Sequence, residues 1–231
     1  MRIALFDIDG TILLAHGAGR RAMERALHES VGSAGPGGLH YAGKTDPQIV
    51  REAMRHLGFT DAEVDAQLPT VLERYLGGLA VELDSSTHDV PAILPGVSAV
   101  LDECEAHEEI TLGLLTGNLV KGAERKLKAV GIDPQRFPFG AFGSDHEDRA
   151  TLAAIARARA ADHLRRNVEA TACVVIGDTP ADVACGRAIG ARTIAVATGN
   201  FALEELRACR PDALFGDLSN TAAVVEAILH A

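Results

Sequence analysis

Tryptophan is absent from the sequence, and aromatic residues make up only 4% of it. Ala, Val, Leu and Ile must therefore fill the interior of a chain that is 47% hydrophobic. Its 231 residues suffice for one sizeable core, or one core with a small satellite domain. Cysteine is scarce. Cys104, Cys173, Cys185 and Cys209 include no pair in C-x-x-C spacing, which argues against a zinc site. Reduced thiols in the core are expected instead, and these suit a cytoplasmic location. Basic residues are outnumbered, 22 against 32 acidic, leaving a formal net charge of −10. Such a surface repels nucleic acid phosphates and anionic membranes. A small phosphorylated metabolite is not excluded, because a local cation cluster or Mg²⁺ decides that contact. No apolar run is long enough to span a bilayer. The first strand begins almost at once, which leaves no room for a signal peptide. There is no long polar tail and no internal repeat.

What is present is an alternation of apolar strands and amphipathic helices. Ile3–Phe6, Ile110–Leu115, Ala172–Gly177 and Arg192–Ala197 read as buried strands, with a weaker candidate over Phe137–Phe142. Helices are expected over 97–107, 119–130 and 150–163, from 178 to 189, over 203–209 and over 221–230. Alternating strands and helices imply a parallel sheet covered on both faces. Between the first two strands the pattern is all-helical. Helices are expected over 20–31, from Pro47 to Leu57, and from Asp61 to about Gly77. Thr45 with Gln48, and Thr60 with Glu63, have capping-box spacing at two of the starts. A crossover needs only one helix, so this segment is an inserted domain. The division is therefore 1–14 with 91–231 for the α/β domain, and 15–90 for the helical one. The Gly-containing segment from Ile12 to Gly19 could hinge them.

Asp7-Ile8-Asp9-Gly10-Thr11 follows the first strand directly. Residues i and i+2 share a face, so both carboxylates can point at one site. Gly10 permits tight backbone geometry, and the Thr11 hydroxyl can bond a phosphoryl oxygen or a carboxylate. Two acids together at a strand end need a cation or a shared proton. A plain polar turn is the bland alternative. The second strand ends in Thr116-Gly117-Asn118, and the fourth in Asp178-Thr-Pro-Ala-Asp182. Ligands of such sheets bind beyond the carboxyl ends of the strands, where all three turns lie.

Taken in order, Asp7-x-Asp9-Gly10-Thr11, Thr116-Gly117-Asn118, a cation before a helix, and Gly-Asp178-x-x-x-Asp182 resemble the motif set of the haloacid dehalogenase-like (HAD) hydrolase superfamily. The resemblance covers nearly the whole chain. It implies a Rossmann-like sheet of strand order 3-2-1-4-5 and a small helical cap inserted after the first motif. The insert resembles that of phosphoglycolate phosphatase-like and β-phosphoglucomutase-like members. The implied reaction is Mg²⁺-dependent hydrolysis of a small phosphate monoester through an aspartyl-phosphate, by a monomer or homodimer.

The same resemblance assigns roles. Asp7 would be the nucleophile and Asp9 the acid and base. Thr116, Gly117 and Asn118, with Gly10 and Thr11, would hold the phosphoryl group. Asp7, Asp9 through its backbone carbonyl, and Asp178 would ligate Mg²⁺. Asp182 would be a further ligand, an acid behind the ligands, or simply the cap of its helix. The family usually carries a Lys at the third motif. Here Arg149 stands at that place, with Lys121 and Lys126 as alternatives further upstream. His146 reads as a loop residue. Lys44, between Gly43 and Thr45 of the insert, is expected to contact the leaving group, or else to be a solvated lysine. A phosphomutase, and a phosphate-binding regulatory module without turnover, are the competing functions.

Overall fold

The computed structural model describes residues 1–84 and 90–230. Residues 85–89 of the expected helical insert, and the last residue of the expected α/β domain, lie outside the described residues. Six parallel strands form the central sheet: β1 (Arg2–Phe6), β4 (Ile110–Leu115), β5 (Gly140–Ala141), β6 (Cys173–Gly177), β7 (Arg192–Val196) and β8 (Ala213–Phe215). Their order is β5-β4-β1-β6-β7-β8. The five expected strands thus take the expected order, and β8 extends the sheet beyond them. β8 was not legible because it is a three-residue edge strand with no fully buried position. A second, two-stranded antiparallel ribbon pairs β2 (Leu13–Leu14) with β3 (Ala92–Ile93). It clasps the points where the chain leaves and rejoins the α/β layers.

β1 lies in the middle because its side chains are buried on both faces, as central parallel strands require. Ile3 and Leu5 point into a cluster with Leu152, Ala153 and Ala156 of α6 (Arg149–Leu164). Ala4 and Phe6 point the other way, into a cluster with Leu101 of α4 (Val97–Ala106) and Val224 of α9 (Thr221–His230). The remaining helices of these layers are α5 (Val120–Ala129), α7 (Pro180–Ala188) and α8 (Leu203–Ala208).

Between β2 and β3 lie α1 (Ala18–Val31), α2 (Asp46–His56) and α3 (Asp61–Asp84). Met23, Val50, Tyr75 and Leu79 of these helices belong to the same apolar cluster as Phe6. α3 runs past Gly77, where the sequence suggests a stop. Leu79 and Leu83 are buried, and Gly78 lies against Ala22 of α1, so helix continuation is favoured by packing at a position that needs a small residue. The capping boxes at Thr60 and Thr179 form with both legs. At α2 only half forms: Thr45 Oγ1 accepts from the Gln48 N–H at 3.2 Å, while the Gln48 side chain turns to Glu52.

Candidate active site

The turns after β1, β4 and β6 meet the start of α2 around a cavity of about 660 Å³. Asp7 is the first residue beyond β1 and is nearly buried. Its N–H donates to the Ile176 carbonyl at 2.9 Å, which registers it against β6. Arg149 Nη2 lies 3.1 Å from Asp7 Oδ2, and the same guanidinium pairs with Asp182. Arg149 opens α6 behind its N-cap Asp148. A cation at a helix N-terminus opposes the helix dipole, so the two carboxylates must hold it there.

Asp178 is anchored by Thr11, whose hydroxyl donates to Asp178 Oδ1 at 3.0 Å. Gly10 has φ 82°, and a Cβ there would strike the Asp178 carboxylate. Only glycine satisfies both demands. Asp182 has both oxygens engaged: Oδ1 with Arg149, Oδ2 with the Thr179 N–H at 3.0 Å and hydroxyl at 2.7 Å. It therefore caps α7, as one of its sequence readings expects, and carries an ion pair at once.

Carboxylate oxygens of Asp7, Asp178 and Asp182 lie within 4.8 Å of one another. Burial pushes the Asp7 carboxyl up to about 6, against the pull of Arg149 and with the repulsion of Asp182 and Asp9. Burial first, then the Asp182 and Asp7 carboxylates, raise Asp178 well above the usual carboxylate range. Crowded hard oxygen donors whose repulsion Arg149 only partly relieves fit a hard metal cation.

Asp9 belongs to a second group. Its side chain is 44% exposed and faces the cavity. Lys126 Nζ donates to Asp9 Oδ1 at 2.8 Å and Oδ2 at 2.7 Å, and to Asn118 Oδ1 at 2.7 Å. Asn118 Nδ2 donates to Asp9 Oδ2 at 2.7 Å and to Thr116 Oγ1 at 2.8 Å. The acidic residues are thus served by two cations, Arg149 on Asp7 and Lys126 on Asp9. By sequence Lys126 is expected only as a substitute for Arg149. One signal pointed to it: on amphipathic α5, Lys126 falls on the buried face with Ala123 and Leu127. Lys121 is exposed, and His146 lies on an exposed loop.

α2 seats its first turn on the loop after β4. The Asp46 N–H donates to the Gly117 carbonyl at 2.8 Å, and the Leu119 N–H donates to Asp46 Oδ2 at 2.9 Å. A Cβ on Gly117 would strike the Lys44 carbonyl. Lys44 lines the cavity, with its ammonium paired to Glu52 of α2.

A family model described as haloacid dehalogenase-like hydrolase matches residues 4–187. Among solved structures, a hydrolase from Pseudomonas syringae superposes with TM-score 0.71 at 18% identity, covering 98% of each chain. A predicted phosphoglycolate phosphatase from Haemophilus somnus gives TM-score 0.69 at 18% identity over 97% of each chain. CbbY from Rhodobacter sphaeroides, solved in complex with phosphate, gives 0.68 at 16% identity over 95% of each chain. No curated protein matches by sequence.

Proposed function

Because the chain belongs to the haloacid dehalogenase-like hydrolase family, we propose that it is a metal-dependent phosphatase acting on a small phosphate monoester. The observation that carries this reading is the meeting of Asp7, Asp178 and Asp182 within 4.8 Å, with Asp7 and Asp178 facing the cavity that Asp9 and Thr116 also line. Asp7 attacks phosphorus, and the bond from phosphorus to the leaving oxygen breaks. Asp9 gives its proton to that oxygen. Water then attacks the aspartyl-phosphate, Asp9 takes the proton from it, and inorganic phosphate leaves as Asp7 is regenerated. Thr116 and the amides of Gly117 and Asn118 hold the phosphoryl oxygens, and Arg149 keeps Asp7 ionised and aimed.

Asp7, Asp178 and the Asp9 backbone carbonyl would hold Mg²⁺, with Asp182 standing behind them through Arg149. When bound, the ion screens the repulsion between the nucleophile and the phosphate. α1–α3 serve as the cap, and Lys44 contacts the leaving group by exchanging Glu52 for an anionic group on the substrate. The test is phosphate release from p-nitrophenyl phosphate with Mg²⁺ and with EDTA. Turnover with Mg²⁺ that EDTA abolishes supports the reading. No turnover of this ester or of a panel of phosphorylated metabolites would exclude it.

A further inference from the structure

We propose that Lys126 is a positioning residue for the leaving-group step, acting through Asp9 and not on the substrate. The proposal rests on the phosphatase reading of the site. Three observations support it.

First, the ammonium has three protons, and all three are engaged: with Asp9 Oδ1, Asp9 Oδ2 and Asn118 Oδ1. None is left to bind a phosphoryl oxygen. Second, the Lys126 side chain is buried to 5% exposure, while that of Asp9 is 44% exposed. An aspartate this open to the cavity has rotamers to choose from, and a buried cation gripping both oxygens removes that choice. Third, Asn118 closes the ring, accepting from Lys126 and donating to Asp9 Oδ2. Two donors therefore crowd Oδ2, whereas Oδ1 receives one and keeps acceptor capacity to spare. The ring presents Oδ1 as the atom that carries the proton to the leaving oxygen.

The helical insert takes part. Lys126 passes beside Gly19 of α1, where a Cβ would lie 3.5 Å from Nζ, and the Tyr75 hydroxyl of α3 borders the same spot. Asp46 of α2 holds the N-cap end of the same helix, α5, through the Leu119 N–H, and its carboxylate also feels the Lys126 charge. All three insert helices thus fix the floor on which Lys126 lies, so seating of the insert and orientation of Asp9 are linked through one side chain.

A positioned general acid matters most when the departing oxygen is a strong base. The test is kcat/KM for p-nitrophenyl phosphate, phenyl phosphate and a simple alkyl phosphate, on wild type, Lys126→Met and Lys126→Gln with saturating Mg²⁺. kcat/KM reports the steps up to leaving-group departure. We expect Lys126→Met to lose about 100-fold or more on the alkyl ester and less than about 10-fold on the nitrophenyl ester, given the size of general-acid contributions. Lys126→Gln should fall between. An equal loss on all three esters would assign Lys126 to folding or phosphate binding and overturn the proposal, as would no loss on any. Recovery of both variants only as unfolded protein, judged by circular dichroism, would also overturn it. Wild-type inactivity across the series would remove the phosphatase reading, and this role with it.

Discussion

Arg149 Nη2 stands 3.1 Å from Asp7 Oδ2. The two residues are 142 positions apart in sequence, one directly following β1 and the other opening α6. Both are buried, and Asp182 shares the same Nη2. Removing Arg149 would leave two buried carboxylates facing each other without their cation, which typically costs about 3–5 kcal/mol. Arg149→Met should therefore lose stability on that scale, together with most turnover. Lys121→Ala, at an exposed site, should stay within about 0.5 kcal/mol of wild type. Urea unfolding at neutral pH and steady-state turnover measure both, and equal effects of the two substitutions would refute the assignment.

Asp7→Asn preserves shape and removes the nucleophilic oxygen anion. Phosphatase activity should fall to background, by at least about 1,000-fold, the scale seen when a catalytic nucleophile is lost. The folded state should be no less stable, because Asp7 is one of several crowded acids whose carboxyl is already pushed up to about 6. Activity above trace in a preparation free of contaminating phosphatase would remove Asp7 from its role.

Mg²⁺ should raise the melting temperature of the wild type. An ion that binds only the native state stabilises it by about 2.7 kcal/mol at 100 times its dissociation constant. Asp178→Asn should abolish that rise. Without metal the same variant should melt no lower than wild type, since one of three mutually repelling carboxylates is gone. Thermal scans with and without Mg²⁺ decide it. A persisting Mg²⁺ effect in the variant would place the ion elsewhere.

Asp46 gives a pH dependence with a definite sign. Burial raises its carboxyl from 3.8 to about 6, with Lys126 and the Leu119 N–H pulling the other way. The folded protein then holds a proton that the unfolded chain has released between those values. Stability from this group is present at low pH and is lost as pH rises from about 4 through about 6, by up to about 3 kcal/mol. Asp46→Asn should flatten that decline. The measurement is denaturant unfolding at several pH values from 4 to 7 on both proteins. Identical slopes would show that Asp46 titrates normally.

Gly117→Ala tests the seating of α2. A methyl group there would meet the Lys44 carbonyl, so the insert must shift away from the loop after β4. Overpacking of this kind costs about 1–3 kcal/mol. KM for phosphate esters should rise, and unfolding should move to lower denaturant. Wild-type values of both would mean that the two segments separate without consequence.

Much of this molecule is written in local pattern. Mainly apolar runs mark β1, β4, β6 and the end of β7, because a strand covered on both faces leaves little room for polar alternation. Thr60 with Glu63 and Thr179 with Asp182 announce their helix starts, since a capping box is closed within four residues. The positions of Asp7, Asp9, Thr116 and Asp178 at strand ends follow from the same runs. Local pattern fails where stability comes from a distant partner. β8 pairs only at an edge, and α3 passes Gly77 because Leu79 and Leu83 find a core that its own sequence does not contain.

The division of cations belongs to the same class. Along the chain Lys126 is a lysine two turns into a helix, 117 residues from Asp9. Nothing in its spacing states which carboxylate it serves. Only the parallel pairing of β1 with β4 brings Asp9 and Asn118 side by side, and only the packing of α5 turns Lys126 inward beneath them. Burying that ammonium is costly unless every proton finds an acceptor. The three oxygens that supply them come from two separate strand ends. Tertiary structure therefore decided which acid each cation holds, whereas the sequence by itself determined which acids there would be.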